Sequence, residues 1–63
     1  MPLVHISLME GRTTEQKRVA IQKVTVALQE AFNAPPETIR IWFTDIPKTD
    51  FGIGGKTAKE LGR

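Results

Sequence analysis

The sequence predicts an α/β fold: a single β-α-β unit followed by a short C-terminal hairpin, in one domain over residues 1-63. Three observations support this prediction. Apolar residues alternate with period two near the start of the chain, recur with a helical period in the middle, and alternate again after Thr38. A strand, a helix and a strand in this order normally place the two strands in parallel. We therefore expect one small parallel sheet covered by one helix.

The first strand is predicted over residues 3 to 8. Its apolar face consists of Val4, Ile6 and Leu8, which alternate with residues of the opposite face. His5 lies on that opposite face, where a packed or interface histidine is expected rather than a catalytic one. The strand ends at a turn in which Gly11 can adopt a positive φ.

An amphipathic helix is predicted from Thr13 or Thr14 to Phe32. Thr13 and Gln16 have the spacing of a capping box at its start. Asn33 fits a left-handed residue at its end, and Pro35-Pro36 prevents continuation. The predicted apolar stripe comprises Ala20, Ile21, Val24, Ala27, Leu28, Ala31 and Phe32. The predicted polar side comprises Lys17, Arg18, Gln22, Lys23, Gln29 and Glu30.

The second strand is predicted from Thr38 to Asp45, where apolar and polar residues alternate and β-forming residues are frequent. Its covered face consists of Ile39, Ile41 and Phe43, and its other face of Arg40, Trp42 and Thr44. Pro47 ends it. Residues 51 to 55 are expected to form a glycine-rich loop or a short hairpin, and the tail from Thr57 to Arg63 one helical turn.

Self-association is expected because the chain is small and has no covalent means of stabilisation. A domain of 63 residues buries only about 60% of the surface that its unfolded chain exposes. It has no cysteine and one histidine, which excludes disulfides and thiolate metal sites and argues against a metal cluster. One helix also leaves a sheet face, with Leu3 and Trp42, and both sheet edges uncovered. Copies of the chain are therefore expected to complete the sheets.

The charge balance favours a small anionic ligand. Nine Lys and Arg against seven Asp and Glu give a net charge of +2, and the basic residues are scattered. Nucleic-acid binding would favour a basic stripe with stacking aromatics, so no nucleic-acid partner is expected. No apolar run approaches the length that spans a bilayer and no signal peptide is recognisable. We expect a cytoplasmic protein without a membrane partner.

Four residues are candidates for chemistry. Removal of Met1 would give Pro2 a free secondary amine, which can act as a base, although proline at position two also simply permits processing. Arg40 lies on the uncovered sheet face and could bind a carboxylate, or form a salt bridge with Glu37, Asp45 or a neighbouring subunit. Arg12 could bind an anion or be a solvated loop residue. Phe51 could line an apolar pocket or belong to the core.

Taken together, Pro2, the run Glu10-Gly11-Arg12-Thr13, Arg40 and the run Phe51-Gly52-Ile53-Gly54-Gly55 resemble the 4-oxalocrotonate tautomerase family over essentially the whole chain. The resemblance implies a cofactor-independent and metal-independent keto–enol tautomerase that acts on 2-hydroxymuconate-like dienols, as in the catabolism of aromatic hydrocarbons. It implies Pro2 as the base, and Arg12 and Arg40 as catalytic residues that bind the two ends of a dicarboxylate.

The resemblance further implies that Arg40 comes from a neighbouring subunit and that Phe51 forms an apolar wall. The expected assembly is a homo-hexamer, a trimer of dimers, although a mixed hexamer of two different chains is possible. A same-scaffold decarboxylase or dehalogenase, or a non-catalytic assembly or binding module, is the alternative. Ile53 stands where the dehalogenases have a water-activating carboxylate, which argues against that chemistry.

Overall fold

The computed structural model describes all 63 residues as a β-α-β unit with a C-terminal hairpin. Its regular elements are β1 (Leu3–Met9), α1 (Thr14–Phe32), β2 (Arg40–Ile46), β3 (Gly52–Ile53) and β4 (Lys56–Thr57). Strands β1 and β2 are parallel, with Leu3 opposite Arg40 at one end and Met9 opposite Ile46 at the other. Strands β3 and β4 form an antiparallel hairpin. The predicted parallel pair and hairpin are therefore confirmed.

The helix caps are those that the sequence predicts. The Thr13 hydroxyl accepts a hydrogen bond from the Gln16 N–H at 3.0 Å, and the Gln16 side chain accepts one from the Thr13 N–H at 2.9 Å. Asn33 ends the helix with a φ of 52°. Both ends are thus fixed by local hydrogen bonding and backbone preference, independently of the sheet.

The second strand begins two residues later than predicted. Pro36–Thr38 forms a 3₁₀ turn in which the Thr38 N–H and hydroxyl both donate to the Pro35 carbonyl, at 3.0 and 2.7 Å. The prediction of a strand from Thr38 is wrong because these bonds hold that residue in the turn. At the other end, β1 and β2 each extend one residue beyond their predicted ends, to Met9 and Ile46.

The helix face that meets the sheet is narrower than predicted. Ala20, Val24 and Leu28 are half-buried, whereas four residues of the predicted apolar stripe are exposed: Ile21, Ala27, Ala31 and Phe32. Phe32 keeps 65% of its surface exposed. Neighbouring strands lie only about 5 Å apart, so a two-stranded sheet covers only a narrow strip of a helix. The wide predicted stripe is therefore wrong for the single chain.

Lys17 and Gln29, assigned to the polar side of the helix, are half-buried instead. The Lys17 Nζ pairs with the Asp45 carboxylate on β2 at 2.6 Å and lies 6.0 Å from the centre of the Phe43 ring. The aliphatic part of a lysine can cover apolar surface while its ammonium group reaches a polar partner. Lys17 therefore contributes to the contact between α1 and β2.

The single chain does not enclose a core of its own. Only Ile39 and Ala58 are buried, and the accessible surface is 4767 Å², against about 4,000 Å² for a compact chain of this mass. The radius of gyration is 14.9 Å, against about 11 Å for a globular chain of this length. On the uncovered face of the sheet, Leu3 and Trp42 are 64% and 47% exposed. The exposed sheet face and the small number of buried residues agree with the expectation that other copies of the chain complete the sheet.

The C-terminal tail forms the single turn that the sequence predicts, and hydrogen bonds cap this turn at both ends. Thr57 and Glu60 form a reciprocal capping box, and the Leu61 N–H donates to the Thr57 carbonyl at 3.2 Å. Gly62, with a φ of 71°, and Arg63 then donate back to the carbonyls of Lys59 and Ala58 at 3.1 and 2.9 Å. These two bonds form the Schellman motif that commonly ends helices. The position of Arg63 is consequently fixed.

No helix of the structure combines the length and the apolar character needed to cross a membrane.

Candidate active site

Pro2 and Arg40 lie together at the edge of the sheet where both strands begin. The Pro2 carbonyl accepts a hydrogen bond from the Arg40 N–H at 3.0 Å. Pro2 is half-buried, whereas Met1 is 81% exposed. The peptide bond between Met1 and Pro2 makes the proline nitrogen an amide. Only the chain without Met1 has a proline amine at this edge.

The Arg40 guanidinium has no carboxylate partner within the chain. It donates to the main-chain carbonyl of Glu37, while Asp45 pairs with Lys17 on the helix. The intramolecular salt bridges considered for Arg40 are thus not formed. Its positive charge remains exposed at the edge that Pro2 occupies and can bind an anion.

Arg12 lies at the opposite edge, in the loop that follows β1. It borders an open cavity of about 390 Å³ and a second one of about 220 Å³. The larger cavity is lined by Leu8, Met9, Glu10, Gly11, Arg12, Lys48 and Arg63. Arg12 is exposed and forms no salt bridge. An anion could therefore bind to it without displacing an existing partner.

Pro2 and Arg12 of one chain are too far apart to share a small ligand. They flank the seven residues of β1, and a strand rises about 3.3 Å per residue, so roughly 20 Å separates the two edges. A small dicarboxylate is much shorter. Any site that contains both residues must therefore take them from different chains.

Phe51 lies immediately before the hairpin and lines neither cavity. Its carbonyl accepts a hydrogen bond from the buried Ala58 at 2.8 Å, which holds the tail against the start of the hairpin. Gly54 and Gly55 have φ values of 61° and 91°, which suit the tight two-residue turn of a hairpin. The Phe51 side chain remains partly exposed and available to a neighbouring chain.

Lys48 and Arg63 were not among the residues singled out from the sequence, yet they share the larger cavity with Arg12. Two signals could have identified them. The carboxyl ends of parallel strands meet at one edge, which brings the segment after β2 close to the segment after β1. The spacing of Thr57, Glu60 and Gly62 indicates a capped turn that presents Arg63.

His5 belongs to neither edge. It lies on the uncovered face of the sheet, where its ring stacks on Trp42 with centroids 5.2 Å apart and an interplanar angle of 7°. Its Nε2 is 2.7 Å from the Thr44 hydroxyl. This arrangement fits a packed histidine. No group of three His, Cys, Asp or Glu side chains lies close enough together to hold a metal ion.

Comparison with known proteins shows the family. The sequence profile of the family described as "Tautomerase enzyme" matches residues 2–60. The chain is 52% identical to a 2-hydroxymuconate tautomerase of Comamonas testosteroni, with all of both chains covered.

Solved structures agree with this relationship. A 4-oxalocrotonate tautomerase isozyme of Methylibium petroleiphilum is 56% identical, with a TM-score of 0.90 over 98% of this chain and 100% of that one. A heterohexameric 4-oxalocrotonate tautomerase of Chloroflexus aurantiacus is 34% identical, with a TM-score of 0.88 over 97% of this chain and 98% of that one. The chain therefore belongs to the tautomerase enzyme family and is an isomerase of the tautomerase type.

Proposed function

We propose that the protein catalyses the keto–enol tautomerisation of 2-hydroxymuconate-like dienols to the conjugated 2-oxo acid, without a cofactor. Its relatives are named 2-hydroxymuconate tautomerase and match it over their full length. The observation that carries the proposal is the placement of Pro2, half-buried and hydrogen-bonded to the backbone of Arg40. A proline amine at this point would be held in one orientation, because the Pro2 carbonyl is fixed to the start of β2.

In the proposed reaction the unprotonated Pro2 amine removes the proton of the 2-hydroxyl group. The double bonds shift along the chain, so that a carbonyl forms at C2 and the C4–C5 double bond moves to C3–C4. The protonated amine then delivers a proton to C5, and the amine is regenerated. No redox step or added group is needed, because one O–H bond is exchanged for one C–H bond.

The surroundings of Pro2 favour this role. An α-amino group has a pKa of about 7.7–8.0 in model peptides. Partial burial disfavours the protonated form, and so would the arginines of the proposed site, so that both would lower the pKa of the Pro2 amine. A base with a pKa near the working pH combines a large unprotonated fraction with good proton affinity.

The rest of the site comes from assembly. We propose a homo-hexamer, as a trimer of dimers, in which Pro2 of one chain meets Arg12 of another. Arg40 of a neighbouring subunit binds the carboxylate and oxygen at the reacting end, and Arg12 binds the distal carboxylate. Phe51 forms an apolar wall. The roughly 20 Å between Pro2 and Arg12 within one chain supports such sharing.

Replacing Arg12 by alanine should reduce selectivity for diacids. A charge-assisted hydrogen bond contributes about 1.5–3 kcal/mol, so kcat/KM for 2-hydroxymuconate should fall roughly ten- to hundredfold. The corresponding monoacid dienol, which lacks the distal carboxylate, should lose little. Steady-state ketonisation rates on both substrates test this, with Arg18→Ala as the control because Arg18 pairs with Glu15 on the helix. Equal losses on diacid and monoacid would contradict the role of Arg12.

The function itself is tested by measuring the intact mass and the ketonisation of 2-hydroxymuconate on the same sample. A mass that lacks methionine together with rapid ketonisation is the expected result. A protein that lacks Met1 and turns over neither diacid nor monoacid enols would refute the tautomerase proposal for these substrates.

A further inference from the structure

We propose that Lys48 and Arg63 act with Arg12 as a three-cation pocket that binds the distal carboxylate of a dianionic substrate and makes the enzyme selective for diacids. The proposal rests on the function proposed above and assigns two further specificity residues to the same site. All three side chains line the cavity of about 390 Å³ at the edge where β1 and β2 end. None of them forms a salt bridge within the chain.

The position of Lys48 is fixed by Glu10. The Glu10 carboxylate accepts a hydrogen bond from the Lys48 N–H at 2.9 Å, which joins the segment after β2 to the turn after β1. The Glu10 N–H in turn donates to the Ile46 carbonyl at 3.0 Å. These two bonds bring Lys48 to the turn that carries Arg12. The Glu10 carboxylate thus binds a backbone N–H group and forms no ion pair with the three cations.

The position of Arg63 is fixed by the capped tail. The Arg63 N–H donates to the carbonyl of Ala58, a fully buried residue. Gly62 reverses the chain direction with a φ of 71°, a conformation that most other residues adopt only with strain. The turn therefore directs Arg63 into the cavity by backbone hydrogen bonding, without the help of a side-chain ion pair.

The cavity matches one end of a dicarboxylate in charge and in polarity. The side chains of the cavity, three cations and one carboxylate, carry an excess of two positive charges, which attracts a dianion more strongly than a monoanion. Leu8 and Met9 supply apolar surface in the same cavity for the hydrocarbon chain. Cations that surround a carboxylate beside apolar surface form the usual combination for recognising an organic acid.

The test compares Lys48→Ala and Arg63→Ala with Lys59→Ala, which removes the same charge from an exposed residue that does not line the cavity. Each pocket variant should lose roughly five- to tenfold in kcat/KM on 2-hydroxymuconate, and less than about twofold on the monoacid dienol. Lys59→Ala should resemble the parent on both substrates. An unchanged ratio of diacid to monoacid in both pocket variants would overturn the proposal.

Gly62→Ala tests whether the position of Arg63 matters as well as its charge, because the variant alters the backbone and keeps the guanidinium group. A Cβ at Gly62 would meet no atom within 4 Å, so the only effect is on the backbone. This variant should also lose diacid preference, because alanine adopts a φ of 71° only with strain and the turn that presents Arg63 would shift.

Titration calorimetry with adipate, a saturated six-carbon dicarboxylate, tests binding in the three-cation pocket independently of turnover. The parent should bind adipate in preference to hexanoate, and each pocket variant should show that preference reduced roughly five- to tenfold. Equal binding of adipate by parent and variants would refute the pocket. If the parent binds adipate selectively but turns over no enol, the pocket stands and the proposed reaction fails.

Discussion

Replacing Pro2 by alanine is expected to lower kcat for 2-hydroxymuconate by at least about a hundredfold, the smallest contribution usual for a positioned general base. Alanine still permits removal of Met1, so the variant retains a free amine, but a primary amine on a residue whose φ is no longer fixed by a ring. The measurement is the steady-state rate of ketonisation, on a sample whose intact mass shows that methionine is absent.

A second variant distinguishes the amine from the ring. Extra residues placed before Pro2 keep the proline ring but convert its nitrogen to an amide, and should abolish turnover as fully as the alanine variant does. In the parent, kcat/KM should fall as the pH drops below the pKa of the amine, because only the unprotonated form removes a proton. Full activity in a chain that retains Met1 would contradict the role of Pro2.

Replacing Trp42 by aspartate is expected to prevent assembly. Trp42 and Leu3 are exposed on the sheet face that α1 does not cover, and a carboxylate there would have to lose its hydration when another chain packs against it. Light scattering coupled to size-exclusion chromatography should show a smaller species than the parent. Turnover should be lost as well, because the proposed site takes its residues from more than one chain.

Trp42→Phe is the matched control, since it keeps an aromatic ring that can stack on His5. It should retain the size of the parent. A Trp42→Asp protein of parental size and full activity would show that this face remains exposed in the assembly.

Much of the fold could be predicted because local chemistry determines it. The capping box of Thr13 and Gln16, the left-handed Asn33 and the turn that Gly62 closes all depend on residues close together in sequence. The predictions failed where contacts between residues far apart in sequence determine which side chains are buried. Lys17 has the sequence position of a solvent-facing residue, yet the narrow sheet leaves room for its side chain to cover Phe43 and reach Asp45.

The positions of the candidate site residues could be predicted in part, for a related reason. Pro2 and Arg40 begin paired strands, so the parallel arrangement places them together. The length of β1 likewise implies that Arg12 is at the far edge. One sequence does not describe how copies are placed relative to one another, so it cannot show which chain supplies which residue. The sequence does not identify Lys48 and Arg63 as site residues, because they come close to Arg12 only after the strands and the tail have folded.

Mixing two impaired variants tests most directly the central claim that each site takes Pro2 and Arg12 from different chains. Pro2→Ala and Arg12→Ala chains would be unfolded together in equal amounts, refolded, and assayed on 2-hydroxymuconate beside each variant refolded alone. Each mixed site receives an intact Pro2 and an intact Arg12 independently, so activity should return to about a quarter of the parental value, allowing for random assembly of symmetric oligomers. Activity that stays at the level of the separate variants, in a mixture shown to contain hybrid oligomers, would mean that one chain supplies both residues and would contradict the shared site.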